Sequence, residues 1–318
     1  MAERALGDRV DQTIDAILKR GDATSALRDQ DLASLARLAA DLRHYPGPAF
    51  KSRLRATLER EGTMSSAVLS TSVREGLSTI TPYLRVREPG LVDFLGHVFG
   101  AVETSRGAGA DRMHHEVRVG SSTMLIDEGD AEGAAPARPA EFHVYVEDVD
   151  AAFDRAMAAG ATSLGAPANR PYGERAGFVR DAYGNHWFIA THLGESHVPK
   201  GLGTVTPFVH AKGASEYIEF LKRAFGAVEE MRDIIGGVMR FAKLRIGNAA
   251  IELGEAEPST PPMPGAFYLN VSHVDRLYEN AVAAGARPLS PPTGDQRGAA
   301  LARIEDPIGN HWLIASPS

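Results

Sequence analysis

Arg180-Asp181-Ala182-Tyr183-Gly184-Asn185-His186-Trp187-Phe188-Ile189-Ala190 is an Asp-x-x-Gly-Asn turn followed by alternating large residues. Turn chemistry that feeds a period-two alternation predicts a hairpin and a half-buried strand. The pattern returns as Ile304-Glu305-Asp306-Pro307-Ile308-Gly309-Asn310-His311-Trp312-Leu313-Ile314-Ala315, 125 residues further on from His186 to His311. The only two tryptophans of the chain stand at the same place in both copies. A duplicated stretch of this kind sets a repeat architecture as the frame for the rest.

Working outward, each copy closes a longer pattern of strand, helix and further strands, which runs four times from residue 77. The first unit opens on Ile80-Thr81-Pro82-Tyr83-Leu84-Arg85-Val86, and the third on Val205-Thr206-Pro207-Phe208-Val209. Their helices end at Phe99-Gly100-Ala101-Val102-Glu103 and Phe225-Gly226-Ala227-Val228-Glu229, with glycine as the expected stop. Strands near 112–119 and 122–127 follow in one, 239–246 and 249–254 in the other. The second unit opens on Phe142-His143-Val144-Tyr145-Val146, and Asp148 or Asp150 caps its helix. The fourth opens on Phe267-Tyr268-Leu269-Asn270-Val271.

Before the repeats, residues 1–62 predict a small helical segment. Val10, Ile14, Ile17 and Leu18 form one stripe, and Leu32, Leu35, Leu38, Ala39 and Leu42 a second. A third helix follows Pro48, with Phe50, Leu54 and Leu58. Residues 63–76, rich in Ser, Thr and Ala, read as a linker. The basic face of the third helix (Lys51, Arg53, Arg55 and Arg60) reads first as a solvated surface and second as contact with an acidic partner.

The 318 residues, 43% hydrophobic and 24% charged, describe an ordinary globular chain with room for two or three domains. A net charge of -7 argues against a nucleic-acid binder. With no cysteine there is no disulfide, thiolate metal site or cysteine nucleophile. No apolar run approaches the roughly 20 residues that span a bilayer, so no membrane contact is expected. A cytoplasmic protein is the expectation.

Paired βαβββ units carrying Val-x-Asp-Val-Asp, Ala-x-x-Ala-Gly-Ala, Tyr-Gly-Glu-Arg and Asp-x-x-Gly-Asn-His-Trp resemble the vicinal oxygen chelate superfamily, the glyoxalase, bleomycin-resistance and dioxygenase group, most of all its PhnB-like branch. The resemblance covers residues 77–316. It implies an α+β fold in which two βαβββ units curl an eight-stranded mixed sheet around a cup, with helices on the convex side. Two tandem glyoxalase-like domains are expected, at 77–192 and 204–318, joined by a linker at 193–203. The N-terminal stretch resembles helical segments fused to bacterial regulators, which implies a protein partner through these helices.

Strand alternation assigns faces. Trp187 and Ile189 belong to the core, and His186, Phe188 and Ala190 to the cup. Thr81, Tyr83 and Arg85, then His114, Glu116 and Arg118, then Thr123, Leu125 and Asp127, then Glu141, His143 and Tyr145 line a first cup by the same logic. Thr206, Phe208, His210, Phe241, Lys243, Arg245, Ala250, Glu252, Ala266, Tyr268, Asn270, His311 and Leu313 line a second. The superfamily's metal enzymes hold a divalent ion on four strands. Mapped by motif, those positions are Thr81, Leu125, Glu141 and Phe188 in the first domain, and Thr206, Glu252, Ala266 and Leu313 in the second. One carboxylate in each set is too few for a divalent ion. No metal ligand is assigned and no cofactor is expected, which leaves a divalent metal only a displaced site near Glu141, His143, His114 and Asp127.

The candidate ligand-binding residues are Tyr83, Arg85, His114, Tyr145, Tyr172, Arg175 and Phe188, gathered in the first domain's cup. Arg175 either grips a carboxylate or phosphonate or forms an internal salt bridge with Asp181 or Glu141. His143, His114 and His186 are of the type that serves as acid or base near neutrality. For His186, which recurs as His311, support of the hairpin is the simpler role, and Asp181 and Asp306 are turn formers. The leading expectation is a metal-free protein that binds a small, partly aromatic or anionic molecule. One alternative is an acid–base isomerase or lyase with Glu141 and His143 as catalytic groups. Another is a ligand-sensing regulator that contacts its partner through the N-terminal helices.

Overall fold

A computed structural model describes residues 76–108, 112–129, 137–294 and 300–316. The predicted N-terminal helices, nearly all of the 63–76 linker and Arg297 of the second domain lie outside them. Among the described residues no helix is long and apolar enough to cross a membrane.

The four units appear in order. The first is β1 (Ile80–Val86), α1 (Leu91–Phe99), β2 (Val102–Ala108), β3 (Met113–Val119) and β4 (Ser122–Glu128). The second is β5 (Glu141–Tyr145), α2 (Val149–Ala158), β6 (Thr162–Arg170), β7 (Glu174–Arg180) and β8 (His186–His192). The third is β9 (Val205–Ala211), α3 (Ala214–Phe225), β10 (Val228–Ile235), β11 (Val238–Ile246) and β12 (Ala249–Glu255). The fourth is β13 (Ala266–Asn270), α4 (Val274–Ala284), β14 (Arg287–Gly294), β15 (Ala300–Glu305) and β16 (His311–Ala315). Asp148 caps α2 by accepting from the Ala151 N–H at 3.0 Å. Gly100 and Gly226 end α1 and α3 in the left-handed region, at φ 66° and 64°.

The α+β architecture of two eight-stranded mixed sheets is as expected. The partnership of the units is not. One sheet runs β14-β15-β16-β13-β1-β4-β3-β2 and the other β10-β11-β12-β9-β5-β8-β7-β6. Unit one therefore shares a sheet with unit four, and unit two with unit three. The seams are antiparallel, Thr81 facing Tyr268 in one and His143 facing Thr206 in the other.

The convex-side cores follow the chain instead. Leu84, Leu91, Leu95, Phe142, Phe153 and Trp187 belong to one core that unites units one and two. Ile218, Leu221, Phe225, Phe267, Leu277 and Trp312 belong to another that unites units three and four. Each tandem domain is thus a core, and each cup is built half from one domain and half from the other. The expected first-domain cup does not form. All four units carry the same alternation, so pattern alone does not select which edge strand pairs with which.

The duplicated turn is built as its sequence demands. Asp181 Oδ1 accepts from the N–H groups of Tyr183 and Asn185, while Oδ2 accepts from Asn185 Nδ2 and the Trp187 indole at 2.9 Å. Asp306 repeats this with Ile308, Asn310 and Trp312, and adds the Tyr217 hydroxyl at 2.7 Å. Both tryptophans are fully buried. Burial raises both aspartate pKa values above the usual range.

Candidate functional site

The two cups differ in what fills them. In the cup of units one and four, Tyr83, Ala266 and Leu313 form a small apolar floor with Leu125, Tyr268 and Leu301 packed against it. Above it lies a cavity of about 630 Å³ whose wall includes Tyr83, His114, Asp127, Tyr268, Asn270 and Leu301. The rings of Tyr83 and Tyr268, from the two sides of the seam, meet edge to face at 5.6 Å. Beside the cavity, a small pocket is lined by Arg85, Arg138, Arg303 and His311. Arg138 donates to His311 Nε2 at 2.8 Å, and His311 stands 3.2 Å from Glu305.

Asp127 is the polar hub of this cup, only 2% exposed. Its carboxylate takes the Tyr83 hydroxyl and His114 Nδ1, with Arg112 at 3.3 Å. Arg85 donates to the Tyr83 hydroxyl at 2.8 Å. Burial, then the bond to Asp127, pushes the Tyr83 phenol up to about 12.

The cup of units two and three is closed over charged groups. His143 lies with Nδ1 3.0 Å from Glu252 and Nε2 3.5 Å from Glu174, and its ring stacks on Tyr145 at 4.2 Å. Tyr145 donates to Glu174 at 3.0 Å. Burial alone would lower the His143 pKa, but the Glu252 and Glu174 carboxylates outweigh it and raise it to about 9. Glu141 sits between His186 and His210, 3.4 Å from each. Burial opposes its ionisation, yet these imidazoles hold its pKa below the usual range. Val198 and Leu202 of the interdomain linker pack on Tyr145, Ala176 and Ala190 and cover this floor.

The expected site residues are therefore divided. Tyr83, Arg85 and His114 belong to the open cup; Glu141, His143, Tyr145 and Phe188 belong to the closed one. Glu141 and His143 each have their own partners and do not form a joint acid–base pair. Tyr172 is exposed, at 62%. Arg175 makes the internal salt bridge, to Asp150 at 2.6 Å through both Nε and Nη2, where Asp181 or Glu141 had been the expected partner. Asp181 is fully taken by its own turn. His186 pairs with Glu141 on the neighbouring strand and packs edge-on against Phe178 of its own hairpin, and His311 faces Glu305 across its hairpin.

Sequence reasoning placed Tyr268 and His210 on cup faces without giving them a role, and considered Glu252 and Asp127 only as metal-site positions. It assigned no role to Glu174, the residue of Tyr-Gly-Glu-Arg that turns inward to His143. The partners of Glu252, His210 and Tyr268 come from units distant in sequence, while those of Asp127 and Glu174 lie on other strands of their own units.

Re-pairing also changes the metal count. The four strand positions of the open cup become Thr81, Leu125, Ala266 and Leu313, with no carboxylate or imidazole. Those of the closed cup become Glu141, Phe188, Thr206 and Glu252, and both carboxylates are already engaged by imidazoles. Among the described residues no group of three or more His, Asp or Glu is arranged to hold a metal. Neither donor set fits a divalent ion.

Comparison with known proteins agrees with this architecture. The profile of the Glyoxalase/Bleomycin resistance protein/Dioxygenase superfamily matches residues 89–189 and 209–314. The chain belongs to this superfamily. Members of known structure include glyoxalase I from Zea mays, at 12% identity and a TM-score of 0.59 over 74% of this chain and 92% of that one. A putative dioxygenase from Bacillus subtilis is superposable at 13% identity and a TM-score of 0.50, over 74% of this chain and 84% of that one. Both likenesses are of fold. An uncharacterized protein of Mycobacterium bovis is 31% identical over 128 residues, 36% of this chain and 84% of its own length. A counterpart in Mycobacterium tuberculosis is also 31% identical, over 36% of this chain and 75% of its own length.

Proposed function

We propose that the protein binds a small, partly aromatic, anionic molecule in the open cup of units one and four, without a divalent ion. The observation that carries this reading is the cavity of about 630 Å³ above an apolar floor, which shares Tyr83 with a small neighbouring pocket lined by Arg85, Arg138 and Arg303. Tyr83 and Tyr268 offer ring faces and edges to an aromatic body. Arg303, on the cup face opposite Leu313, and Arg138 offer donors to a carboxylate or phosphonate. Pockets that hold small ligands share this mixture of apolar walls and a few convergent polar groups. The motifs Tyr-Gly-Glu-Arg and Asp-x-x-Gly-Asn-His-Trp support a place in the PhnB-like branch.

Benzoate, phenylphosphonate and the neutral benzamide, added in thermal-shift and calorimetric titrations, test the reading. The two anions are expected to raise the melting temperature. Arg303→Ala should weaken them about tenfold, the worth of one charge-assisted hydrogen bond. Tyr268→Ala should weaken all that bind, and Tyr172→Ala should change nothing. A panel that leaves the melting temperature unmoved, or anion binding indifferent to Arg303→Ala, would sink the reading.

A further inference from the structure

We infer that the open cup carries a general base, His114, aimed by Asp127, and that it acts on a carbon acid bound against the tyrosines. This rests on the small-molecule reading of the same cup and goes beyond it by naming a reaction class.

Three observations converge on His114. Its Nδ1 is bound to the buried Asp127 carboxylate. Its side chain is 55% exposed and lines the large cavity. Among the described residues, its Nε2 has no partner. A carboxylate accepts and does not donate, so Nδ1 carries a proton, and Nε2 is the ring nitrogen left to act on a ligand. This is the orienting arrangement that general-base histidines need: one ring nitrogen fixed by a third group, the other within reach of substrate. Asp127 is itself held by Tyr83 from the apolar floor and by Arg112, so its direction is set from two sides. A merely structural Asp127–Arg112 pair would not need an imidazole on the cavity wall. His143 has the opposite arrangement: both its nitrogens face carboxylates in a closed cup.

The step balances within one molecule. The Nε2 lone pair takes a proton from a carbon flanked by a carbonyl or aromatic ring. An N–H bond forms, the C–H bond breaks, and the electron pair stays on the conjugated system of the ligand. Asp127 stabilises the imidazolium so formed. Return of the proton to another atom of the same ligand completes a proton-shift isomerisation without an oxidant, reductant or co-reactant. Asp127 is the positioning residue and His114 the catalytic one.

The probe is 5-nitrobenzisoxazole. Removal of its C3 proton by a base breaks the C–H and N–O bonds together and gives a coloured cyanonitrophenolate. The full chain is expected to open the ring faster than the same concentration of free imidazole. His114→Gln should lower kcat at least tenfold with KM little changed. Asp127→Asn should lower kcat and move the midpoint of the pH profile, which loss of packing alone would not do. Nitrogen NMR of the neutral His114 ring should place its proton on Nδ1. Turnover equal to free imidazole, turnover unchanged in His114→Gln, or a proton on Nε2 instead of Nδ1 would each overturn the inference. If benzoate binds while His114→Gln turns over like the parent, the base assignment fails and the binding reading stands. If His114-dependent turnover persists without inhibition by benzoate or phenylphosphonate, the base stands and the anionic ligand is the part that fails.

Discussion

His143 shows how one side chain can settle the character of a cup. Its ring lies between two buried carboxylates, Glu252 and Glu174, in the cup covered by linker residues. The folded-state pKa of about 9 exceeds the ordinary histidine value of 6.5. A group whose pKa is raised on folding stabilises the fold fully below its unfolded value, and the contribution is lost as pH climbs through the folded value. Stability should therefore fall by on the order of 3 kcal/mol between about pH 6.5 and pH 10 on account of this residue. His143→Gln should flatten that decline. At pH 6.5 it should also cost about 3 kcal/mol or more, because it leaves two buried carboxylates without their cation. Urea denaturation of both proteins at pH 6.5, 8 and 10 measures the difference between the two curves. Parallel curves would mean that His143 is neutral in the fold.

At the scale of elements, the two domains are joined by a pair of reciprocal contacts. The turn between β3 and β4 carries Gly120-Ser121, whose Ser121 N–H donates to Thr204 Oγ1 at 2.9 Å just before β9. The turn between β11 and β12 carries Gly247-Asn248, whose Asn248 N–H donates to Thr79 Oγ1 at 3.2 Å just before β1. Thr79 returns its own N–H to Asn248 Oδ1 at 2.7 Å. Each glycine has positive φ, 55° and 60°, and a Cβ on either would collide with the threonine it faces. Gly247→Ala should thus cost about 2 kcal/mol, from backbone strain and overpacking together. Thermal denaturation checks it, and an unchanged melting temperature would contradict the reciprocal joint.

Elements were the most legible part of the sequence. The Asp-x-x-Gly-Asn turns, the glycine stops and the alternation each act within a few residues, and each appears where its chemistry placed it. The cup faces were legible for the same reason, since alternation fixes a face without reference to a partner strand. The site was less so. The seams Thr81–Tyr268 and His143–Thr206 join strands far apart in sequence whose patterns fit either partner equally. Hence Tyr83 was grouped with Tyr145 and Phe188 in one cup, whereas its partner in the cavity is Tyr268.

For the whole molecule, the division between cores and cups has a consequence that cutting the chain reveals. Residues 76–203 contain all of a convex-side core but Val205, with Trp187, Phe142 and Leu95 buried together. They contain neither complete cup. Both seam strands, β1 and β5, would lose their antiparallel neighbours β13 and β9 and expose unpaired N–H and C=O groups along with the Tyr83 and Tyr145 floors. An exposed, partly apolar sheet edge seeks another edge. Two copies satisfy both edges at once if β1 of each pairs with β5 of the other, a closed two-fold arrangement that leaves no free seam. This half-chain should therefore be a dimer in sedimentation equilibrium, while residues 76–318 should be a monomer. A proline at Thr206 in the longer chain introduces no break in the first half and serves as the control: its effect should be loss of the β5–β9 seam, not dimerisation of a folded half. If the half-chain sediments as a folded monomer, the cups do not depend on both domains and the pairing of units one with four and two with three is not obligatory.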